Sequence, residues 1–120
     1  MKRVLIVDDS SMMRKLIKNI VIKNGYEVVG EATNGKSGVR KYKELRPDIV
    51  TMDLVMDEMT GIEALSRILG EDPDANVIMI SSMGQDVIVR DAIVLGARDY
   101  ILKPFDEDEV MAAVKKCKFD

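Results

Sequence analysis

Val50-Thr51-Met52-Asp53-Leu54 is the stretch whose reading decides the fold of this chain. Val50, Met52 and Leu54 alternate with Thr51 and Asp53, and Pro47 and Gly61 bound the run. The pattern predicts a buried strand, Val50–Leu54, that ends in a carboxylate. Burying an unpaired carboxylate costs on the order of several kcal/mol, so Asp53 needs a cation, a donor or a strand end open to water. We read Asp53 as a nucleophile and much of the remaining sequence as its environment.

On the N-terminal side, Arg3–Val7 is a short apolar run that predicts a central strand and stops at Asp8-Asp9. Ser10 or Ser11 can cap a helix in which Met13, Leu16, Ile17, Ile20 and Val21 recur at helical spacing up to Asn24. Gly25 then fits a left-handed terminator. Glu27–Ala32 is a weaker strand, placed at a sheet edge by Gly30. Asn34-Gly35 is expected to turn the chain into a helix through Val39, Tyr42 and Leu45, closed by Pro47.

On the C-terminal side, a loop over Val55–Thr60 leads to a helix, Gly61–Leu69, and Gly70–Asn76 reads as a polar loop. Val77–Ile80 is a buried strand ending at Ser81-Ser82, and Asp86–Leu95 is a helix stopped by Gly96. Asp99–Leu102 is the last strand, followed by Lys103-Pro104. Asp106 can cap a final helix whose Val110, Ala113, Val114 and Cys117 form one stripe.

Strands alternating with helices, and reading as unbroken apolar runs, indicate a parallel (βα)5 sheet covered on both faces. Right-handed crossovers send every strand's C-terminal end to one edge, where open α/β sheets bind ligands. Asp8, Asp9, Asp53, Ser81, Ser82 and Lys103 would meet there. Three carboxylates together repel, and a divalent ion plus Lys103 would balance them. Oxygen ligands without imidazole or thiolate favour Mg²⁺, or Mn²⁺, over zinc.

Composition narrows the function. The 120 residues suit a single domain, 1–120, with one substantial core. A net charge of −3 argues against nucleic acid as the main partner. The apolar runs fall well short of the roughly 20 residues of a membrane span, and Met1-Lys2-Arg3 runs straight into a strand rather than a leader. The single cysteine, Cys117, excludes an internal disulfide and suits a reducing, cytoplasmic setting. The chain has no histidine, which removes imidazole metal sites, Ser-His and Cys-His dyads and any phosphohistidine of its own. A histidine in the chemistry must come from another protein.

Taken singly, these residues have ordinary roles. Asp9 can cap the first helix, Ser81 the fourth, Lys103 can be a solvated charge and Tyr100 part of the core. The methionines suit packing, and Lys115, Lys116 and Lys118 suit a solvated helix end. Their gathering at matching strand ends is what favours a site.

VLIVDDSSMMRK, DIVTMDLVMDEMTGIEAL, VIMISSMG and GARDYILKPF, in this order and spacing, resemble the receiver domains of two-component response regulators. The likeness runs from Lys2 to the last helix and is strongest to the stand-alone chemotaxis members. It implies a flavodoxin-like fold with strand order 2-1-3-4-5. It also implies Asp53 as phosphoacceptor, Asp9 as direct Mg²⁺ ligand, Asp8 as its water-mediated partner and the Val55 carbonyl as a further ligand. Ser81 matches the switch hydroxyl, Tyr100 the switch aromatic and Lys103 the lysine of the family, with Lys103-Pro104 cis. Val55 and Met83 fall where the family flanks the path of the attacking water, and both are apolar. Two positions depart from the pattern: Asp57 stands in place of a proline and Ser82 in place of a small apolar residue.

By this resemblance the chain is a phosphoacceptor signalling protein rather than an enzyme acting on a separate substrate, although it would catalyse its own phosphorylation and slow self-dephosphorylation. The implied partners are a histidine kinase of the CheA type as donor and a motility-switch or adaptor protein as target. A phosphatase is a further candidate partner, and the chain itself is expected to be a monomer. With the chain ending at the fifth helix, output is expected through binding rather than through an attached domain. On the fourth helix Ile88, Ala92 and Leu95 form a stripe suited to the sheet. Val89 and Ile93, extended by Ala97, form a second stripe expected to bind the target beside Tyr100, Met111 and Lys115.

Three rivals share parts of this pattern. A flavodoxin-like FMN carrier would need a phosphate cradle after the first strand, where Asp8-Asp9 would repel it. A haloacid-dehalogenase-type phosphatase places its nucleophile after the first strand in a spaced Asp-x-Asp, which adjacent Asp8-Asp9 does not match. A phosphorelay shuttle stays within the resemblance and differs only in where the phosphoryl group goes.

Overall fold

The computed structural model describes residues 1–56 and 58–119. Its first strand, Arg3–Val7 (β1), buries Val4, Leu5, Ile6 and Val7 consecutively, which requires cover on both faces. Side chains alternate across a strand, so Leu5 and Val7 enter one apolar cluster while Val4 and Ile6 enter the other. Ile49–Met52 (β3) and Val77–Ser81 (β4) divide in the same way. Val50, Met52, Val77 and Met79 face the first cluster, and Ile49, Ile78 and Ile80 face the second.

The helices are Ser11–Lys23 (α1), Gly35–Leu45 (α2), Gly61–Glu71 (α3), Asp86–Leu95 (α4) and Glu107–Lys115 (α5). Glu27–Ala32 (β2) and Asp99–Leu102 (β5) complete one parallel sheet of order β2-β1-β3-β4-β5. Residues of α2, α3 and α4 close the first cluster, and those of α1 and α5 the second. This is the flavodoxin-like doubly wound fold, as a single domain. Among the described residues, no helix is long and apolar enough to cross a membrane.

Several boundaries move for local reasons. The third strand ends at Met52 rather than Leu54. The Asp53 amide still donates to the Val7 carbonyl at 2.9 Å, but the Leu54 carbonyl turns to accept from Gly61 N at 2.8 Å. Ser81 belongs to β4, because its carbonyl accepts from Lys103 N at 2.9 Å across the end of β5. α3 continues through Gly70 to Glu71, two residues beyond Leu69, and closes when Asp72 N donates to the Ile68 carbonyl at 2.8 Å. Asn34 caps α2 instead of turning the chain, its side chain accepting from Ser37 N at 2.8 Å. α5 stops at Lys115, so Cys117 lies past the helix while still packing on the α1–α5 side.

Other expectations hold. Gly25 follows α1 with φ +90°, the left-handed region that a side chain disfavours. β2 lies at the edge, with its register shifted beside Gly30. Asp106 closes α5 in a capping box with Glu109. The Lys103–Pro104 peptide is cis.

At the end of the sheet remote from Asp53, buried Asn76 uses all four of its hydrogen-bonding capacities. Its Nδ2 donates to the Asp48 and Lys118 carbonyls at 3.1 and 2.9 Å. Its Oδ1 accepts from Arg98 Nε at 2.7 Å and from Lys118 N at 3.0 Å.

Candidate functional site

The parallel sheet brings the ends of β1, β3, β4 and β5 to one edge, and the cleft is built from the residues just beyond them. Asp53 follows β3 and is only 6 % exposed. Its Oδ1 accepts from its neighbour's amide, Leu54 N, at 2.9 Å. Gly61, the first residue of α3, seals this turn: a Cβ there would lie 2.1 Å from the Asp53 carbonyl oxygen and 2.7 Å from Leu54 Cα. No other residue fits against that backbone.

Asp8, just past β1, is buried and held at every polar atom. Its amide donates to the Ala32 carbonyl at 3.0 Å, and its Oδ1 accepts from Ser10 N at 2.9 Å. Its carbonyl accepts from Arg14 Nη1 at 2.8 Å. Lys103, past β5, places Nζ 2.9 Å from Asp8 Oδ2 and 3.5 Å from Asp53 Oδ1. Asp9 is exposed, yet one oxygen from each of Asp8, Asp9 and Asp53 lies within 4.8 Å of the other two. Burial, and then the negative charge of Asp8, push the Asp53 carboxyl above the usual carboxylate range, with Lys103 and the Leu54 amide opposing them.

Such a donor set fits a hard divalent cation. It offers carboxylate oxygens from three residues and, among the described residues, no nitrogen or sulfur ligand beside them. Val55, two residues beyond Asp53, is 58 % exposed. Asp57, which stands in place of the family's proline, lies outside the described residues.

Ser81 is buried at the end of β4, and its Oγ accepts from Met83 N at 3.1 Å. Met83 in turn accepts at its carbonyl from the hydroxyl of Tyr100, on β5. Ser82 is exposed. The cleft therefore gathers Asp8, Asp9, Asp53 and Lys103, with Ser81 on the adjoining strand end. The family whose description is response regulator receiver domain matches residues 4–115. This chain belongs to that family.

The receiver domain is 56% identical over 115 residues to "Chemotaxis protein CheY" of Thermotoga maritima, with 96% of each chain covered. It is 55% identical to "Chemotaxis protein CheY" of Bacillus subtilis, with 95% of each covered. Among solved structures, it resembles the CheX-CheY-BeF3-Mg complex from Borrelia burgdorferi with TM-score 0.92 and 40% identity, covering 94% of this chain and 86% of that one. It is thus a receiver domain closely similar to stand-alone chemotaxis response regulators, a class of phosphorylation-based signalling proteins.

The stripe expected on α4 is only partly present in this receiver domain. Ile93 is 44 % exposed and Val89 half-buried, but Ala97 is 7 % exposed and enters the core. The Ala97 amide donates to the Ala92 carbonyl at 3.0 Å, which folds the residue back under Gly96. Leu95, read as facing the sheet, is instead 43 % exposed. Sequence reading also passed over Arg14. Its position on the first helix was visible, but no pattern could show that it reaches the Asp8 carbonyl.

Proposed function

We propose that this receiver domain accepts a phosphoryl group on Asp53 from the phosphohistidine of a partner kinase and signals by phosphorylation-dependent protein binding in the control of motility. The observation that carries this reading is the Asp53 carboxylate at a strand end, 3.5 Å from Lys103 Nζ and grouped with Asp8 and Asp9.

In the proposed reaction an Asp53 oxygen attacks phosphorus and the P–N bond breaks, its electron pair passing to the departing imidazole of the kinase. Positioning and charge neutralisation supply most of the catalysis in such transfers. Asp9, Asp53 and the Val55 carbonyl would hold Mg²⁺, with Asp8 acting through water and Mn²⁺ an alternative ion. The bound ion supplies positive charge to the transferring phosphoryl oxygens. Lys103 Nζ already lies against Asp53 and can turn to a phosphoryl oxygen, and the Ser81 O–H can donate to another. The acyl phosphate then hydrolyses, slowly where apolar Val55 and Met83 leave the attacking water unoriented. Tyr100, Val89 and Ile93 lie on the side where the target would bind.

The donor would be a CheA-like histidine kinase and the target a motility-switch or adaptor protein, met in the cytoplasm by a monomer of this domain. A phosphatase is a further partner in this reading, and the Borrelia relative was solved together with CheX. The test is incubation with a small-molecule phosphodonor and Mg²⁺. One phosphoryl group should appear by mass in the native protein and none in Asp53→Asn. Full labelling of that variant would overturn the assignment.

A further inference from the structure

Arg14 has no part in the chemistry above, yet its guanidinium joins a side-chain carboxylate on β2 to the backbone just past β1, beside the cleft. Its side chain is 16% exposed, with Nε 3.0 Å from Glu31 Oε1 on the edge strand β2. Nη1 donates to the Asp8 carbonyl at 2.8 Å. Glu31 is itself held in place, by Lys18 Nζ at 3.7 Å from Oε2 and by Lys41, which donates to its carbonyl. One planar fork therefore spans from a fixed carboxylate on β2 to the peptide between Asp8 and Asp9.

Asp9 is the member of the acidic trio with the least support. Among the described residues its carboxylate makes no hydrogen bond or ion pair, and it is exposed, while Asp8 and Asp53 are bonded and buried. A side chain without partners is aimed by its backbone. The plane of the Asp8–Asp9 peptide is set by what binds the Asp8 carbonyl, and that group is Arg14.

We propose that Arg14 is a positioning residue for divalent-cation binding, orienting the Asp8–Asp9 peptide so that the Asp9 carboxylate converges with Asp53. The inference rests on the reading that the acidic cluster holds Mg²⁺. It differs in sign from a simple charge effect. Arg14 is a cation near a cation site, so Coulomb repulsion alone predicts that removing it tightens Mg²⁺ binding. Loss of orientation predicts the reverse. Groups that orient metal ligands typically change affinity by about 10- to 100-fold when removed.

The experiment is Mg²⁺ titration followed by the amide resonances of Asp8, Asp9 and Asp53, with thermal melts recorded on each protein. Arg14→Ala should weaken the dissociation constant by about tenfold or more. Arg14→Lys keeps the charge but has one nitrogen for two partners, and should fall between native and Ala. Lys15→Ala removes a neighbouring exposed cation on α1 that, among the described residues, pairs with neither Glu31 nor the loop, and should leave binding unchanged or slightly tighter. Native binding retained, or tightened, in both Arg14 variants overturns the proposal. If Arg14→Ala does not fold, Arg14→Lys decides alone, and affinity equal to native overturns it. Absence of any Mg²⁺ response in the native protein instead overturns the reading of the cluster as a metal site, and this inference with it.

Discussion

Replacing Asp53 with asparagine should stabilise the metal-free protein at neutral pH, although it deletes the residue on which the site turns. Lys103 Nζ at 3.5 Å attracts the Asp53 carboxylate by about 5 kcal/mol at an effective dielectric near 20. Asp8, with an oxygen no more than 4.8 Å away, repels it by at least about 3.5 kcal/mol on the same scale. The two nearly cancel, which leaves desolvation to decide the sign. For an ion only 6 % exposed that penalty is on the order of several kcal/mol. Asparagine keeps an oxygen to accept from Leu54 N and frees Lys103 to pair with Asp8 alone at 2.9 Å. The expected gain is about 1–3 kcal/mol, or a rise in Tm of about 4 °C per kcal/mol in a domain of this size.

Differential scanning calorimetry in EDTA measures it. Because the Asp53 carboxyl titrates above its ordinary value, its folded-state cost is present when it is ionised at pH 7. That cost disappears as pH falls through the raised value toward the unfolded one, so the two proteins should converge in acid. Mg²⁺ stabilises whichever protein binds it, by about 2.7 kcal/mol at one hundred times its Kd, and should narrow or reverse the order. An asparagine variant less stable than the native protein in EDTA at pH 7 would refute the reasoning.

Three other outcomes are expected. Gly61→Ala should lower stability by at least about 3 kcal/mol in chemical denaturation, since its Cβ would overlap the Asp53 carbonyl and Leu54 Cα, both backbone. Among the described residues the buried Thr51 Oγ1 has no hydrogen-bond partner, so Thr51→Val should be neutral or stabilising by up to about 2 kcal/mol in the same assay. Burial and the Asp72 carboxylate raise the Tyr42 phenol to about 12, so its stabilisation is complete below its ordinary pKa of 10.0 and is lost as pH rises through about 12. Tyr42→Phe, which forfeits the 2.7 Å bond to Asp72, should cost about 1 kcal/mol near neutrality and flatten the alkaline limb of a stability–pH curve.

The sheet was legible because its strands are apolar on both faces, a pattern that survives without knowledge of any contact. Val4–Val7 and Val77–Ile80 announce themselves in this way, and β5 matched its expected bounds of Asp99–Leu102. What escaped depended on where the backbone turns. Leu54 is as apolar as Met52, but its carbonyl leaves the ladder for Gly61, and only the close approach of α3 accounts for that. The gathering of Asp8, Asp9, Asp53 and Lys103 followed from topology alone, since all lie just beyond strand ends. The outer face of α4 was less legible. Periodicity separates stripes on a helix, but it does not say which one the sheet will cover, nor that Ala97 would fold under Gly96.

Asn76 bears on how this domain can change shape. Four bonds from one amide tie together the approach to β3, the approach to β5 and the segment after α5. Strands fastened at one end cannot slide past one another as a unit. A disturbance at Asp53 therefore has little travel along the strand axes and is turned sideways, through the segments linking one strand end to the next helix. In hydrogen exchange the amide of Lys118, bonded to Asn76, should open with global unfolding. The amide of Met83, bonded to the Ser81 hydroxyl rather than to backbone, should open earlier. On these bonds the molecule should move as a comb does: closed at its spine, compliant at its teeth.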